Sequence, residues 1–369
     1  MMENRKKVLF IHNTLPEYRI QFFCELSKRV ELTLMITDQK LASSIYQLAA
    51  DVPDTLKVIY MNKYDDIKNL IDNEYWDIVV LPPADTVYQA KCAYVALKKS
   101  MAHGIRTVYW TEKWEPSPIL QPMMKKIKNR LQGMLIGYFA KSVNVCIAAG
   151  SMSKRYYQSL GIEASKIRIA VDSSTSPNVT SDIDVRDIFH IPSHSSIVLF
   201  FSRVVKRKGA DLLVKAMEKL NEDKVFLLIC GEGEHLQEVK EIAEKKKMGN
   251  VRFCGKIQPN DRAAYFAQSD VFVLPSYSLG GVIEAWGLTC NEALEQGTPV
   301  VATTAVGAAH DLADGKCCLM VKENDMDSLA KGIKTVLSEG DLNANCKALY
   351  SKFSVENMAE SFYEAFKTC

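Results

Sequence analysis

The sequence lacks any hydrophobic run long enough to span a bilayer, its apolar segments falling well below the roughly 18 residues a membrane helix needs. The stretch Met1 to Lys7 leads straight into the short apolar segment Val8 to His12, too brief for the core of a signal peptide. A cytoplasmic protein is the expectation. Charge of one sign is lacking too. With 46 Lys and Arg against 44 Asp and Glu, the net +2 gives no global pull toward nucleic acid, and any polyanion must be met locally. The ten cysteines form no Cys-x-x-Cys and have no paired histidine spacing, so neither a zinc framework nor a disulfide framework is indicated. They read as small buried apolar residues. No fixed-period repeat and no low-complexity tract is found, which excludes solenoids and long disordered segments.

What the sequence does have is alternation. Short β-branched or apolar runs, separated by longer helical patterns, recur along all 369 residues, as parallel βαβ units require. Strands are expected at Val8–Ile11, Leu32–Ile36, Val58–Met61, Ile78–Leu81, Thr107–Tyr109 and Val143–Ala148. A second series follows at Ile197–Phe201, Val225–Ile229, Val251–Phe253, Val271–Leu274 and Val300–Ala302. Each series suits one open doubly wound sheet, so the fold class is α/β with two Rossmann-like domains. Ligands of such sheets bind at the carboxyl ends of the strands, here in a cleft that both domains would face. The polar, turn-rich stretch around Ser173–Pro177 and Pro192–Ser196 reads as a linker. The expected division is a first α/β domain over 1–172, a linker over 173–196, a second α/β domain over 197–350, and a carboxyl-terminal helix over 351–369. The first domain is one candidate surface for that helix.

Chemistry concentrates in Asp270–Thr303. A strand ends at Pro275, a loop carries Gly280, Gly281 and Gly287, and a helix from about Leu288 stops at Gly297. A glycine loop feeding a helix start suits an anion, because free backbone N–H groups and the helix dipole both favour negative charge. Glu284 and Glu292, eight residues apart, suit ligand hydroxyls if Glu284 lies in the loop and Glu292 in the first helical turns. Alone, they are equally a solvated loop residue and a helix-dipole carboxylate. A second signal is Arg203 with Lys208, delivered by a strand into the loop before a helix near Ala210, where both can meet phosphate. A third is Gly231-Glu232-Gly233 at a strand end, which lacks the third glycine of a dinucleotide fingerprint.

Taken together, Arg203 with Lys208-Gly209, Gly231-Glu232-Gly233, and Glu284 with Glu292 inside EAWGLTCNEALEQGTPVVAT resemble the retaining family-four glycosyltransferases of the two-Rossmann, GT-B type. The match runs continuously through the carboxyl-terminal half. In the first half it rests on HNTLPEYRIQFF, on Trp110-Thr111-Glu112-Lys113-Trp114 and on Tyr156-Tyr157 with Leu160-Gly161-Ile162, which resemble bacterial members building capsule, exopolysaccharide or O-antigen units. The resemblance implies that Arg203 and Lys208 neutralise a leaving diphosphate and that Glu284 holds donor-sugar hydroxyls. Glu292 would take the ribose, the backbone of Trp286, Gly287 and Leu288 would line the phosphates, and Gly231, Gly233 and the turn at Ile257 would complete the donor site. Such enzymes stabilise the leaving group with fixed cations and amides, so no metal and no cofactor is expected.

Two Asp-x-Asp strings, Asp182–Asp184 and Asp325–Asp327, read as solvated or capping carboxylates. Family members often carry a histidine where this chain has Glu112; that residue either faces the acceptor hydroxyl or is structural. Arg19, beside Tyr18, either meets an acceptor phosphate or is a surface arginine at a helix start. His103, His190, His194, His235 and His310 have no partner visible in the sequence.

From Pro116 to Ile162 there is no acidic residue but seven cations: Lys125, Lys126, Lys128, Arg130, Lys141, Lys154 and Arg155. Leu120, Met123, Met124, Ile127, Leu131, Met134, Leu135 and Tyr138 recur there at helical spacing. A basic amphipathic helix over residues 119–140 suits an anionic membrane face; alternatively the stripe packs on the sheet. The functional expectation is a sugar transferase. It would use a nucleotide-diphosphate-sugar donor and a glycan or polyprenyl-diphosphate-linked acceptor, with nucleic acid excluded as a partner. The rivals are a nucleotide-sugar epimerase of the same shape and a silent sugar-nucleotide-binding protein.

Overall fold

The computed structural model describes residues 5–38, 52–115, 122–175, 182–220, 222 and 224–369. They form two compact α/β units. The first draws on stretches up to Trp114, from Pro122 to Ser173 and from Val355 to Cys369; the second runs from Ser174 to Ser354 and includes Glu115.

The first unit holds seven parallel strands: β1 (Lys7–His12), β2 (Glu31–Ile36), β3 (Lys57–Tyr60), β4 (Ile78–Leu81), β5 (Arg106–Thr111), β6 (Val145–Ala148) and β7 (Ile167–Ile169). Their order is β3-β2-β1-β4-β5-β6-β7. The β7 strand is absent from the sequence expectations because its three residues include Arg168 and give no apolar run. Alternation places Val8, Phe10 and Ile78, Val80 with Val108 and Trp110 on one face. That face is covered by the helices Glu17–Ser27 and Val355–Lys367 through Phe22, Phe23, Phe362 and Phe366. The carboxyl-terminal helix is therefore part of the first unit's core, anchored also by Arg29 to Glu360 (2.7 Å) and Lys6 to the Phe366 carbonyl (2.7 Å).

The second unit holds β8 (Ser196–Phe201), β9 (Val225–Cys230), β10 (Val251–Gly255), β11 (Val271–Leu274), β12 (Val300–Thr303) and β13 (Cys318–Val321), in the order β10-β9-β8-β11-β12-β13. Both sheets thus reverse strand order after their first strand, between β1 and β4 and between β8 and β11. Such a switch point leaves a crevice outside the strands' carboxyl ends. The candidate functional residues sit there.

The expected linker is corrected. Its described part is folded into the two units: Ser173 belongs to the first and Ser174 to the second, both fully buried, and residues Val185–Phe189 form a short helix of the second. Gln268 fastens this stretch, accepting from the Val185 N–H (2.9 Å) and donating to the Ile183 carbonyl (2.8 Å). Polar, turn-forming composition misleads because these serines spend their hydrogen bonds inside the protein. Residues 176–181 lie outside the described residues.

The helix Met123–Ser142 buries Asn129, Gly133, Ile136, Gly137, Phe139 and Ala140. Its expected apolar stripe is on the other face: Met123 is 79% exposed, Met134 66% and Leu131 59%, with Met124, Ile127, Leu135 and Tyr138 also exposed. Packing of the stripe on the sheet is excluded for these residues. Small residues, Gly133 facing Tyr156 and Leu160 among them, make the buried contact instead. Residues 119–121, Leu120 included, lie outside the described residues. No helix among those described is long and apolar enough to cross a membrane.

Candidate active site

In the second unit, β8 ends at Phe201 and the chain closes a tight 3-10 turn over Lys206–Lys208. Gly209 follows in the left-handed region (φ 73°), its Cα so close to the Pro275 carbonyl that a side chain would collide with it. Tyr277 N–H binds the Arg207 carbonyl (2.9 Å), so the turn is clamped onto the segment leaving β11. Lys208, only 8% exposed, reaches Glu284 with Nζ 2.5 Å from Oε2. Arg207 Nη1 meets the same oxygen at 2.8 Å. Oε1 of Glu284 has no partner among the described residues.

Burial alone would raise the Glu284 carboxyl; Lys208 and Arg207 outweigh it and hold the group below the usual carboxylate range. Burial lowers the Lys208 ammonium, Glu284 opposes that, and Arg207 and Arg203 add to it. Arg203 is thus within electrostatic reach of Lys208, with its own side chain exposed. Arg207 is a residue that sequence reasoning misses. It sits one place before Lys208 in a cluster of four cations within six residues, and only the turn shows which of them faces the carboxylate.

Glu284 lies in the loop, held by backbone bonds to Ala305 and Gly307. Glu292 is in the helix Thr289–Glu295 and buried; its Oε1 accepts from Ser174 (3.3 Å) and its Oε2 pairs with Arg262. Trp286 is buried, its Nε1 donating to Asn291 Oδ1 (2.9 Å), and Leu288 caps the helix start. Gly231 (φ 131°) lies against the Ser202 carbonyl with no room for a Cβ, which brings the end of β9 onto the Arg203 loop. Val204 N–H binds the Glu232 carbonyl (2.8 Å) next to Gly233, and Gly231 N–H binds the Gly255 carbonyl (2.7 Å). Ile257 is half-buried just beyond β10. The Arg203, Gly231 and Ile257 loops therefore leave adjacent strands and are stitched together by backbone hydrogen bonds.

The first unit carries a second polar cluster. Arg19 is corrected: it is 1% exposed, neither a surface arginine nor free to clamp a phosphate. Its Nη1 and Nη2 take both oxygens of the fully buried Asp172, and Nη2 also lies 2.6 Å from Glu112 Oε1. Its guanidinium stacks near the rings of Trp110 (5.0 Å) and Tyr18 (5.2 Å). Burial, then the Asp172 charge, push the Glu112 carboxyl up to about 7, with Arg19 pulling the other way. The side chain is 38% exposed, so water screens part of that push.

His12, at the end of β1, is a further residue that sequence reasoning misses. Its Nδ1 lies 2.7 Å from the Thr14 carbonyl, and burial lowers its pKa to about 4, so the ring is neutral with Nδ1–H donating and Nε2 as an acceptor. The available signal was position alone, a polar residue closing an apolar strand. Asp172 is missed for the opposite reason, since it looks like the start of a solvated linker. Of the Asp-x-Asp strings, Asp184 caps Val185–Phe189 and Asp325 caps Met326–Ser338, while Asp327 pairs with Lys219.

Two doubly wound parallel units, each with its polar residues at the switch point, define the GT-B class of glycosyltransferase fold. Residues 182–350, within this second unit, match the family of glycosyl transferases group 1. The chain is similar to a lipopolysaccharide core biosynthesis glycosyltransferase of Rhizobium meliloti, 30% identical over 47% of this chain and 50% of that one. It is similar to a phosphatidyl-myo-inositol mannosyltransferase of Mycolicibacterium smegmatis, 31% identical over 60% of this chain and 55% of that one. The matches thus span about half the length of these relatives. A structure of an Anabaena protein, Alr3699/HepE, in complex with UDP superposes with a TM-score of 0.74 at 16% identity, covering 98% and 100% of the two chains, which shows the fold.

Proposed function

We propose that the protein is a retaining glycosyltransferase. It would move a sugar from a nucleotide-diphosphate-sugar donor to a carbohydrate or lipid-linked acceptor in surface polysaccharide biosynthesis. The observation that carries this is the free Oε1 of Glu284 beside Lys208, Arg207 and Arg203. A carboxylate held by cations on one oxygen keeps the other for a sugar hydroxyl, while the cations meet the departing diphosphate. Glu292, with Ser174 and Arg262, takes the ribose, and the Gly231, Gly233 and Ile257 loops border the nucleotide. Fixed cations do the stabilising, so the reaction needs no metal.

The glycosidic bond to the acceptor hydroxyl forms on the face that the diphosphate leaves, whose departing oxygen takes the hydroxyl proton. The relatives' names, one for lipopolysaccharide core and one for a phosphoinositide mannosyltransferase, support acceptors of the glycan or lipid-linked kind. The exposed apolar stripe of Met123–Ser142 with its flanking Lys125, Lys126, Lys128 and Arg130 supports reversible attachment to an anionic membrane face, where such acceptors lie. The test is nucleoside-diphosphate release from a panel of nucleotide sugars, with and without acceptor. A transferase responds to acceptor and loses turnover in Glu284→Ala. An epimerase turns the donor over without acceptor, and a silent binder turns nothing over.

A further inference from the structure

We infer that Cys230 and Cys254 form a reversible redox site, at which a hydroperoxide converts two facing thiols to a disulfide that ties the ends of β9 and β10 together. The site itself does not depend on the transferase reading above; its effect on nucleotide binding does. Three observations carry it.

The first is placement. β9 and β10 are parallel neighbours, and their pairing runs Phe253 with Ile229 and then Gly255 with Cys230. Cys254 is the extra residue of a bulge set against Cys230, and the two sulfurs lie in hydrogen-bonding contact. Neighbouring strands run about 4.8 Å apart, which puts facing residues inside the span of about 4.4–6.8 Å over which a disulfide joins two Cα atoms. The bond therefore closes by a shift of the bulge, without parting the strands.

The second is access. Cys230 is fully buried, whereas Cys254 is half-buried on the sheet's edge strand. Cys317 and Cys346 are also in sulfur contact, but both are buried. An oxidant from solvent thus reaches Cys254 and not that second pair, which serves as a control within the same unit.

The third is the difference between the two thiols. Burial, and then the neighbouring Cys254, push the Cys230 thiol well above its usual range, so Cys230 is a poor first target. Cys254 reacts first and Cys230 resolves it. The Cys254 sulfur attacks the O–O bond of hydrogen peroxide, keeps one oxygen as the sulfenic acid, and the other leaves with the thiol proton as water. The Cys230 sulfur then attacks the Cys254 sulfur: the S–S bond forms, the S–O bond breaks, and the departing hydroxide takes the Cys230 proton as a second water. Two thiols lose two electrons and one peroxide gains them. Contact between the sulfurs makes the second step intramolecular, which offsets the small thiolate fraction at Cys230. A dithiol reductant reverses the bond by exchange.

The disulfide falls one residue before Gly231 and one before Gly255, whose backbones bond at 2.7 Å. Drawing the sulfurs together pulls the bulge toward β9 and moves the Ile257 turn that follows it. On the transferase reading that turn borders the nucleotide, so the oxidised protein is expected to bind nucleoside diphosphate about tenfold more weakly, the worth of one hydrogen bond.

The test treats the full chain with hydrogen peroxide, alkylates the remaining thiols after unfolding and maps disulfides by mass spectrometry. A peptide cross-linked through Cys230 and Cys254 is expected, lost on adding dithiothreitol, with Cys317 and Cys346 alkylated as free thiols. In Cys230→Ser, which has no resolving thiol, dimedone is expected to label Cys254; in Cys254→Ser, Cys230 stays reduced. The inference is overturned if Cys230 and Cys254 stay reduced in wild type, if Cys317 and Cys346 link first, or if Cys230 oxidises equally in a folded Cys254→Ser protein. Calorimetric titration with UDP and GDP then compares the two forms. Equal affinity overturns the effect on the nucleotide loops. Failure of the reduced protein to bind either diphosphate sinks the transferase reading and leaves the mapped disulfide standing.

Discussion

Arg19 Nη2 stands 2.8 Å from Asp172 Oδ2, with Nη1 on the other oxygen, so a buried ion pair joins residues 153 positions apart in the first unit. Removing one member strands the other charge in the core, which typically costs about 3–5 kcal/mol. Asp172→Ala and Arg19→Met should each lower the unfolding free energy of the first unit by that order, read from urea denaturation. The double replacement Arg19→Met with Asp172→Leu should recover most of the loss. Single variants that unfold with the wild type would mean the pair contributes little.

Glu284 and Lys208 are expected to act together. Glu284→Gln and Lys208→Ala should each reduce turnover by about 10²–10³, the scale for removing one preorganised group. The double variant should be little worse than either, because the two share one contact. Additive losses in initial-rate assays would separate their roles.

Gly231→Ala should destabilise the second unit by more than about 1 kcal/mol, since alanine pays for the positive φ and also meets the Ser202 carbonyl. Calorimetry on the full chain would register it. Gly249→Ala, in open space and without a positive φ, is the matched control.

Glu112 makes a pH-dependent contribution whose sign follows from its raised pKa. Below the ordinary carboxylate value of 4.5 it is protonated folded or unfolded; between there and about 7 the folded state holds more protons. Stability linked to this group is therefore present at low pH and is lost as pH rises through about 7. Glu112→Gln should melt at a higher temperature than wild type at pH 8, with the gap closing by pH 5. An equal gap at both would place the Glu112 pKa in its ordinary range.

The stripe on Met123–Ser142 predicts flotation with anionic vesicles and not with neutral ones. Replacing Lys125, Lys126 and Lys128 with glutamate should abolish it, as each cation near an anionic surface is worth about 1 kcal/mol. Equal recovery with both vesicle types would end the membrane proposal.

Much of the fold was legible because parallel strands buried on both faces must be apolar throughout, and such runs are visible in Ile78–Leu81 and Val271–Leu274. Short strands such as β7 escape, since three residues with an arginine among them carry no such run. Glu284, Glu292 and Lys208 were legible as residue types at strand and helix ends. Their partners Arg207, Arg262 and Ser174 were not, because nothing in local spacing reports a contact between residues 30 or 118 positions apart.

The sequence by itself determined the two alternating series of strands, the positions of the glycines and the acid-free basic helix, all of which are local consequences of burial, backbone freedom and charge. Only the tertiary structure decided that Arg19 is buried, that Ser173 and Ser174 are core residues, and that the helix at Met123–Ser142 turns its apolar stripe outward. Those outcomes depend on which face finds a partner. A side chain's environment is set by residues brought near it through the sheet, and pairing across hundreds of positions leaves no periodic trace in the chain.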